Sequence, residues 1–342
     1  MRAAVISSVL CLAPVIAGAQ APATLDSLAR MESAGRTEAL QHIRESDDSL
    51  VTLRGLETAA RLRADERRAR GLPPRSEGCL SADEFDLDSQ LKLARQSPDA
   101  ASFSQTYRQY REMSDRLDAR LAEARRTNAW WHLFPSLRSW ERAWRDARDP
   151  RTRELLLRTL NGQAIRASLA RDRRLTVQAG GKGTPRGAPR AAKSALAVTA
   201  YREYIFNLMC ADDEENLRWF KNQVAEIGWF GQKQFGWAAD RAALLIVQHA
   251  DVDPGFQESV VAELWSRVAV ADVDPENFAY LVDRVAVRAG RPQQFGTQIE
   301  CVNGNWVVPE IENHATLDER RNRMNLVAYD VQLARVRGLC RN

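Results

Sequence analysis

The sequence predicts a mainly α fold: a multi-helix domain with one small C-terminal β-hairpin, preceded by a helical N-terminal region. Apolar residues recur three and four apart through most of the chain, as in LVTLRGLETAARLRADERRAR at residues 50–70, the pattern of amphipathic helices. Asp253-Pro254 and Asp274-Pro275 each place a carboxylate at an N-cap and a proline at the first helical position. By contrast QQFGTQIECVNGNWVVPEIE, residues 293–312, alternates around Asn303-Gly304, a hairpin signal, and Pro309 limits the second strand to an edge.

The chain opens on a leader-like stretch. Arg2 precedes apolar residues from Ala3 to Ile16, and Ala17-Gly18-Ala19 suits a signal peptidase, so residues 1–19 read as a signal peptide cut between Ala19 and Gln20. The expected location is periplasmic or secreted. Cys11 lies behind the bulky Leu10, which argues against a lipid anchor. No later segment approaches the ~18 apolar residues of a membrane span, so none is expected.

Residues 20–150 form the helical N-terminal region. A helix from Thr24 to about Arg70 stops at Gly71-Leu72-Pro73-Pro74, and Arg75 to Asp99 reads as loop with a short helix. From Ala101 to Ala124 the residues Tyr107, Tyr110, Met113, Leu117 and Leu121 make one stripe. The segment AWWHLFPSLRSWERAWRDARD follows. Its Trp130, Trp131, Phe134, Leu137, Trp140 and Trp144 fit packing between helices better than a carbohydrate platform, because their spacing is helical. Helical pairs suggest tetratricopeptide-like repeats, but no clean period of about 34 residues is present.

The C-terminal domain spans residues 151–342. Its first helix, Arg151–Arg173, leads into QAGGKGTPRGAPRAAKSA, a mobile basic loop at residues 178–195 whose composition cannot bury enough surface to become ordered. A helix at Ala197–Cys210 follows, and Asp212 or Asp213 can cap the next, which stops at Gly228. The helix from Ala238 ends near His249. Leu317–Leu339 reads as a single final helix.

Cysteine and charge usage narrow the class. Of five cysteines, Cys79, Cys210, Cys301 and Cys340 survive removal of the leader, and export suggests two disulfides. Three pairings are possible; Cys79 with Cys210 and Cys301 with Cys340 is preferred because it ties each end to the core, with buried thiols as the alternative. No CxxC pair points to a zinc ribbon or thioredoxin-like centre. A net charge of +4, spread among many charges of both signs, is no nucleic-acid footprint.

The densest polar motif is IVQHADVDPGFQ, residues 246–257, which holds one of four histidines. Together with GWF before it, and AYLVDRVAV and GRPQQFGTQ after it, it resembles a bacterial family catalogued as domain of unknown function 6624, over roughly residues 152–335. The family's hallmarks fall on Gly228 and Trp229, on Gln248, His249, Ala250 and Asp251, on Asp283, Arg284 and Val285, and on Gln293, Gly296, Thr297 and Gln298. Phe230 stands where that family has proline. Asn161-Gly162-Gln163 with Arg166 replaces an acidic-Gln…Arg element. The resemblance implies no substrate.

Read as chemistry, His249 is a general base, with Asp251 or Asp283 orienting its imidazole. Arg284 suits a carboxylate or phosphate, while Gln248, Gln257, Gln293, Thr297 and Gln298 suit amides or hydroxyls. No GxSxG, P-loop or HExxH is present, so neither a cofactor nor a metal is expected. His249, Asp251 and Asp253 offer too little nitrogen for zinc and too little oxygen for calcium. The expectation is a polar pocket that binds or hydrolyses a small polar or peptide-like ligand. The alternative is a non-catalytic protein–protein interaction module in which the Trp-rich helices grip a partner and the motif residues are scaffold.

Overall fold

The computed structural model describes residues 56–57, 79–80, 82–180, 194–302 and 305–336. The leader and its cut, nearly all of the 24–70 helix, most of the basic loop, the Asn303-Gly304 turn and Cys340 lie outside the described residues.

The chain divides into two compact units, one comprising Met1–Leu72 and Asp86–Gln105, the other Pro73–Phe85 and Thr106–Asn342. In the first, Leu56, Leu87, Leu91, Leu93 and Phe103 are buried, and Arg95 pairs with Glu57 at 2.9 Å. Most of the expected loop at 75–99 is the helix α1, Ala82–Gln96. Its apolar residues sit at helical spacing.

Among its described residues the second unit is helical apart from one hairpin and the connecting turns. Helix α2 (Ala100–Thr127) buries the whole Tyr107, Tyr110, Met113, Leu117, Leu121 stripe. Two short helices, α3 (Trp130–Leu133) and α4 (Arg138–Asp146), carry the tryptophans, of which Trp130, Trp140 and Trp144 are buried as core packing requires. Trp131 remains 38 % exposed. Helix α5 (Pro150–Gly180) starts on the same device as its later counterparts: Asp149 Oδ2 accepts the Thr152 amide at 2.6 Å ahead of a proline. It runs past Arg173 through Gly180, so residues 178–180 of the expected basic loop are helical.

Helix α6 is continuous from Ala195 to Ile227. Asp212 and Asp213 are therefore mid-helix residues and not caps. A short helix α7 (Gln232–Phe235) then leads to α8 (Trp237–Gln248), α9 (Pro254–Ala269) and α10 (Pro275–Arg288). Asp253 and Asp274 cap α9 and α10 as the sequence predicts, accepting from Phe256 N at 2.9 Å and Asn277 N at 2.8 Å. Helices α4, α6 and α8 pack on α5, and α10 packs on α8 and α9.

Strands β1 (Glu300–Val302) and β2 (Asn305–Val307) pair antiparallel, Cys301 opposite Trp306. β2 stops two residues short of Pro309. The final helix is two helices, α11 (Leu317–Arg323) and α12 (Tyr329–Val336). The break follows from Arg321, a fully buried guanidinium whose Nε donates to Val327 O at 2.7 Å while the chain turns through Asn325 at φ +56°. Satisfying that charge costs the helix its middle turn.

Of the cysteines, Cys79 and Cys210 form a disulfide inside this unit. Cys301 lies in β1. Among the described residues no helix is long and apolar enough to cross a membrane.

Candidate functional site

Helices α5 and α6 meet at Gly162, and the contact brings charge together. A Cβ there would fall 2.7 Å from Asp212 Oδ2 and 3.1 Å from Arg166 Nη1, so a glycine permits the approach. Asp212 is held by Asn161 and, at 2.8 Å, by Asn216 Nδ2. Arg166 Nη2 donates to both oxygens of Asp213 at 2.7 Å, and its Nη1 donates to Gly162 O at 3.1 Å. The Arg166 Nε is buried and has no partner among the described residues. Burial pushes Asp213 up to about 6 against the pull of Arg166, and the charges of Asp212 and Asp251 push the same way. Burial also raises Asp212.

His249 closes α8 from the opposite side of the cluster's sequence. Its amide satisfies the last turn, donating to Leu245 O at 3.1 Å and Ile246 O at 3.2 Å. Its half-buried imidazole makes no hydrogen bond among the described residues. Burial first, then the charges of Arg166 and Arg284, pull its pKa down to about 3, with Asp251 opposing. At neutral pH this is an uncharged imidazole surrounded by ion pairs.

Asp251, in the turn between α8 and α9, is held by two arginines of α10. Arg284 Nε lies 3.2 Å from Oδ1 and Nη2 2.5 Å from Oδ2, and Arg288 Nη1 lies 3.2 Å from Oδ1. Burial alone would raise this carboxylate, but the Arg284 hydrogen bonds and the two positive charges outweigh it and hold it below the usual range. Gln257, fully buried, braces the turn by donating to Val247 O at 2.9 Å and, at 3.4 Å, to Asp251 Oδ1; its Oε1 has no partner among the described residues. Gln248 contributes its carbonyl to the same amide at 3.4 Å.

The other expected site residues form a separate buried knot. Asp283 has no exposure and accepts from the amides of Gln294 at 2.7 Å, Phe295 at 3.0 Å and Thr297 at 2.8 Å, and from Thr297 Oγ1 at 2.9 Å. It anchors the loop after α10 and does not orient His249. Thr297 donates its hydroxyl proton to Asp283 and so belongs to this buried knot. Gln293 Oε1 accepts from Gln298 N at 2.7 Å, and Gln298 Nε2 donates to Tyr280 O at 3.3 Å and Thr297 Oγ1 at 3.1 Å. Burial raises Asp283, with those donors opposing.

The structure thus brings His249, Asp251, Gln257 and Arg284 together, adds Arg166, Asp212, Asp213 and Arg288, and sets Asp283, Gln293, Thr297 and Gln298 apart. Arg166 had a signal in the sequence, the Asn161-Gly162-Gln163 element beside it. Asp212 and Asp213 had one that misled, since paired aspartates before an apolar run imitate a cap. A half-open apolar cleft of about 280 Å³ between α6 and α9, lined by Lys221, Val224, Trp229, Phe256 and Val260, contains none of the charged cluster.

Residues 199–337 match the model of a family of unknown function (DUF6624). The matched span contains Asp212, Asp213, His249, Asp251 and Arg284, while α5, with Gly162 and Arg166, precedes it. Neither a curated protein nor a solved structure matches the chain significantly.

Proposed function

We propose that this is an exported protein whose C-terminal helical domain binds, and by acid–base chemistry hydrolyses, a small polar or peptide-like ligand at the Arg166–Asp213–His249–Asp251–Arg284 cluster. One observation carries the reading: a half-buried imidazole that makes no hydrogen bond among the described residues and lies within electrostatic reach of Arg166, Arg284 and Asp251. A structural histidine in such surroundings would be expected to pair with a carboxylate and be charged.

Two roles follow for the residues. Asp213, with a pKa of about 6, sits where a carboxyl can both give and take a proton near neutrality. His249 is a weak base as it stands, because burial and then the nearby positive charges of Arg166 and Arg284 pull its pKa down. A ligand carboxylate that engages either arginine would offset part of that positive charge and raise the basicity of the imidazole. In hydrolysis, Asp213 or His249 takes a proton from water, the hydroxide adds to the ligand's carbonyl carbon, and the departing amine receives the proton.

Export rests on the leader at residues 1–19 and agrees with the Cys79–Cys210 disulfide, a bond of oxidising compartments. A second reading, a non-catalytic interaction module whose Trp-rich helices grip a protein partner, draws on Trp131, which is 38 % exposed.

Equilibrium unfolding of His249→Ala tests the site. An unbonded imidazole kept for function should cost less than about 1 kcal/mol to remove, or stabilise the fold. A loss of about 2 kcal/mol or more makes His249 scaffold and ends the proposal. In parallel, a dipeptide mixture incubated with wild type and with Asp213→Asn should be cleaved by wild type alone.

A further inference from the structure

The disulfide carries a third group that its own chemistry does not use. Cys210 and Glu214 lie one turn apart on the same face of α6, and the two sulfurs and a Glu214 carboxylate oxygen lie within 4.8 Å of one another. No ion pair or hydrogen bond engages the Glu214 side chain among the described residues. The segment entering from Cys79 is fastened independently of the sulfur bond. Asn207, one turn before Cys210, accepts from Leu80 N at 2.9 Å and donates to Leu80 O at 2.9 Å, a reciprocal clamp on one residue's backbone.

We propose that Cys79, Cys210 and Glu214 form a zinc site whenever the disulfide is reduced, so that the pair alternates between a covalent and a metal-bound state. In the covalent state the sulfurs are neutral and only weak donors, since the thiolate is the form that binds a metal strongly. A dithiol reductant transfers two electrons and two protons to the disulfide, becoming a cyclic or protein disulfide itself. Zn²⁺ then displaces both thiol protons, giving two Zn–S bonds and one Zn–O bond, with water in the fourth position. In a tetrahedron with Zn–S of about 2.3 Å the sulfurs stand about 3.8 Å apart. The disulfide's Cα–Cα separation of 5.6 Å needs only a small opening to reach this, while the Asn207 clamp keeps Cys79 in place. Cysteine thiolates are soft enough to select zinc over calcium or magnesium. Being half-buried, the three ligands are reachable by both reductant and ion.

The test uses the full chain, reduced with a phosphine, desalted without oxygen and titrated with Co²⁺ as a spectroscopic stand-in for zinc. The expected result is saturable binding with sulfur-to-cobalt charge-transfer absorption and the intense visible bands of a tetrahedral ion, displaced by Zn²⁺. Cys79→Ser and Cys210→Ser should each abolish it. Glu214→Gln, which leaves the disulfide chemistry intact, should weaken it at least tenfold. Equal affinity in Glu214→Gln, or binding retained in Cys210→Ser through other cysteines, overturns the proposal. So does a reduced chain that loses its helical circular dichroism, because the site requires the clamp to hold without the disulfide.

Discussion

Arg284 grips Asp251 with two nitrogens, Nε at 3.2 Å from Oδ1 and Nη2 at 2.5 Å from Oδ2, across 33 residues of chain. The pair joins the turn after α8 to α10, and Arg288 shares the same carboxylate. Both partners remain about a third exposed, so solvent screens much of the attraction. A double-mutant cycle of Asp251→Ala and Arg284→Ala should give a coupling of about 1 kcal/mol, bidentate geometry lifting it to the upper end for such pairs. A coupling indistinguishable from zero would mean the grip contributes nothing to the fold.

Asp283, one residue before Arg284, should behave quite differently. It has no exposure and its oxygens collect four donors from the loop at 294–297. Asp283→Ala strands three amides, two of them buried, which we expect to cost about 3 kcal/mol or more in urea unfolding. A cost under about 1 kcal/mol would show that the loop finds other acceptors.

Titration of His249 and Asp213 should bend the stability curve in opposite directions. The imidazole resists protonation in the fold, with a pKa of about 3 against 6.5 unperturbed, so the unfolded chain binds more protons and stability falls as pH drops below 6.5. At pH 5 the loss is about 2 kcal/mol. Asp213, at about 6 against 3.8, binds its proton more readily in the fold, so its contribution is present below pH 3.8 and is lost as pH rises through 6. His249→Gln should therefore lose stability as pH climbs from 4 to 6, and Asp213→Asn should gain it. Guanidinium unfolding at several pH values reads both slopes, and parallel slopes would contradict the assignment.

Gly162→Ala tests the helix crossing. At an open position in a helix the change would stabilise by up to about 1 kcal/mol. Here the new methyl meets Asp212, which Asn161 and Asn216 hold in place, so we expect a net loss of about 1 to 3 kcal/mol. Thermal unfolding decides the sign.

The parts of this molecule legible in its sequence are those written locally. Asp253-Pro254 and Asp274-Pro275 specify helix starts through atoms three residues apart, and Cys301 pairs opposite Trp306 because the alternating run demands it. The site is only half legible because its members meet through packing. Arg166 reaches Asp213 across 47 residues, and nothing between them encodes the contact. The density of polar residues from Gln248 to Gln298 marked a real feature but hid its division. Asp283 and Arg284 are neighbours in sequence, yet successive helical residues point about 100° apart, so one faces the loop and the other the turn. Arg321, read as an ordinary position in a long helix, is a buried cation whose demand for carbonyls breaks that helix in two.

At 33 residues, α6 is a rod of about 50 Å. Near its middle, Asn207 and Cys210 are tied to the incoming chain, and within the next turn Asp212 and Asp213 face the charged cluster. The tether therefore pins the rod beside the working groups, so that any rigid tilt of α6 about this point displaces Asp212 and Asp213 least and the two ends of the helix most.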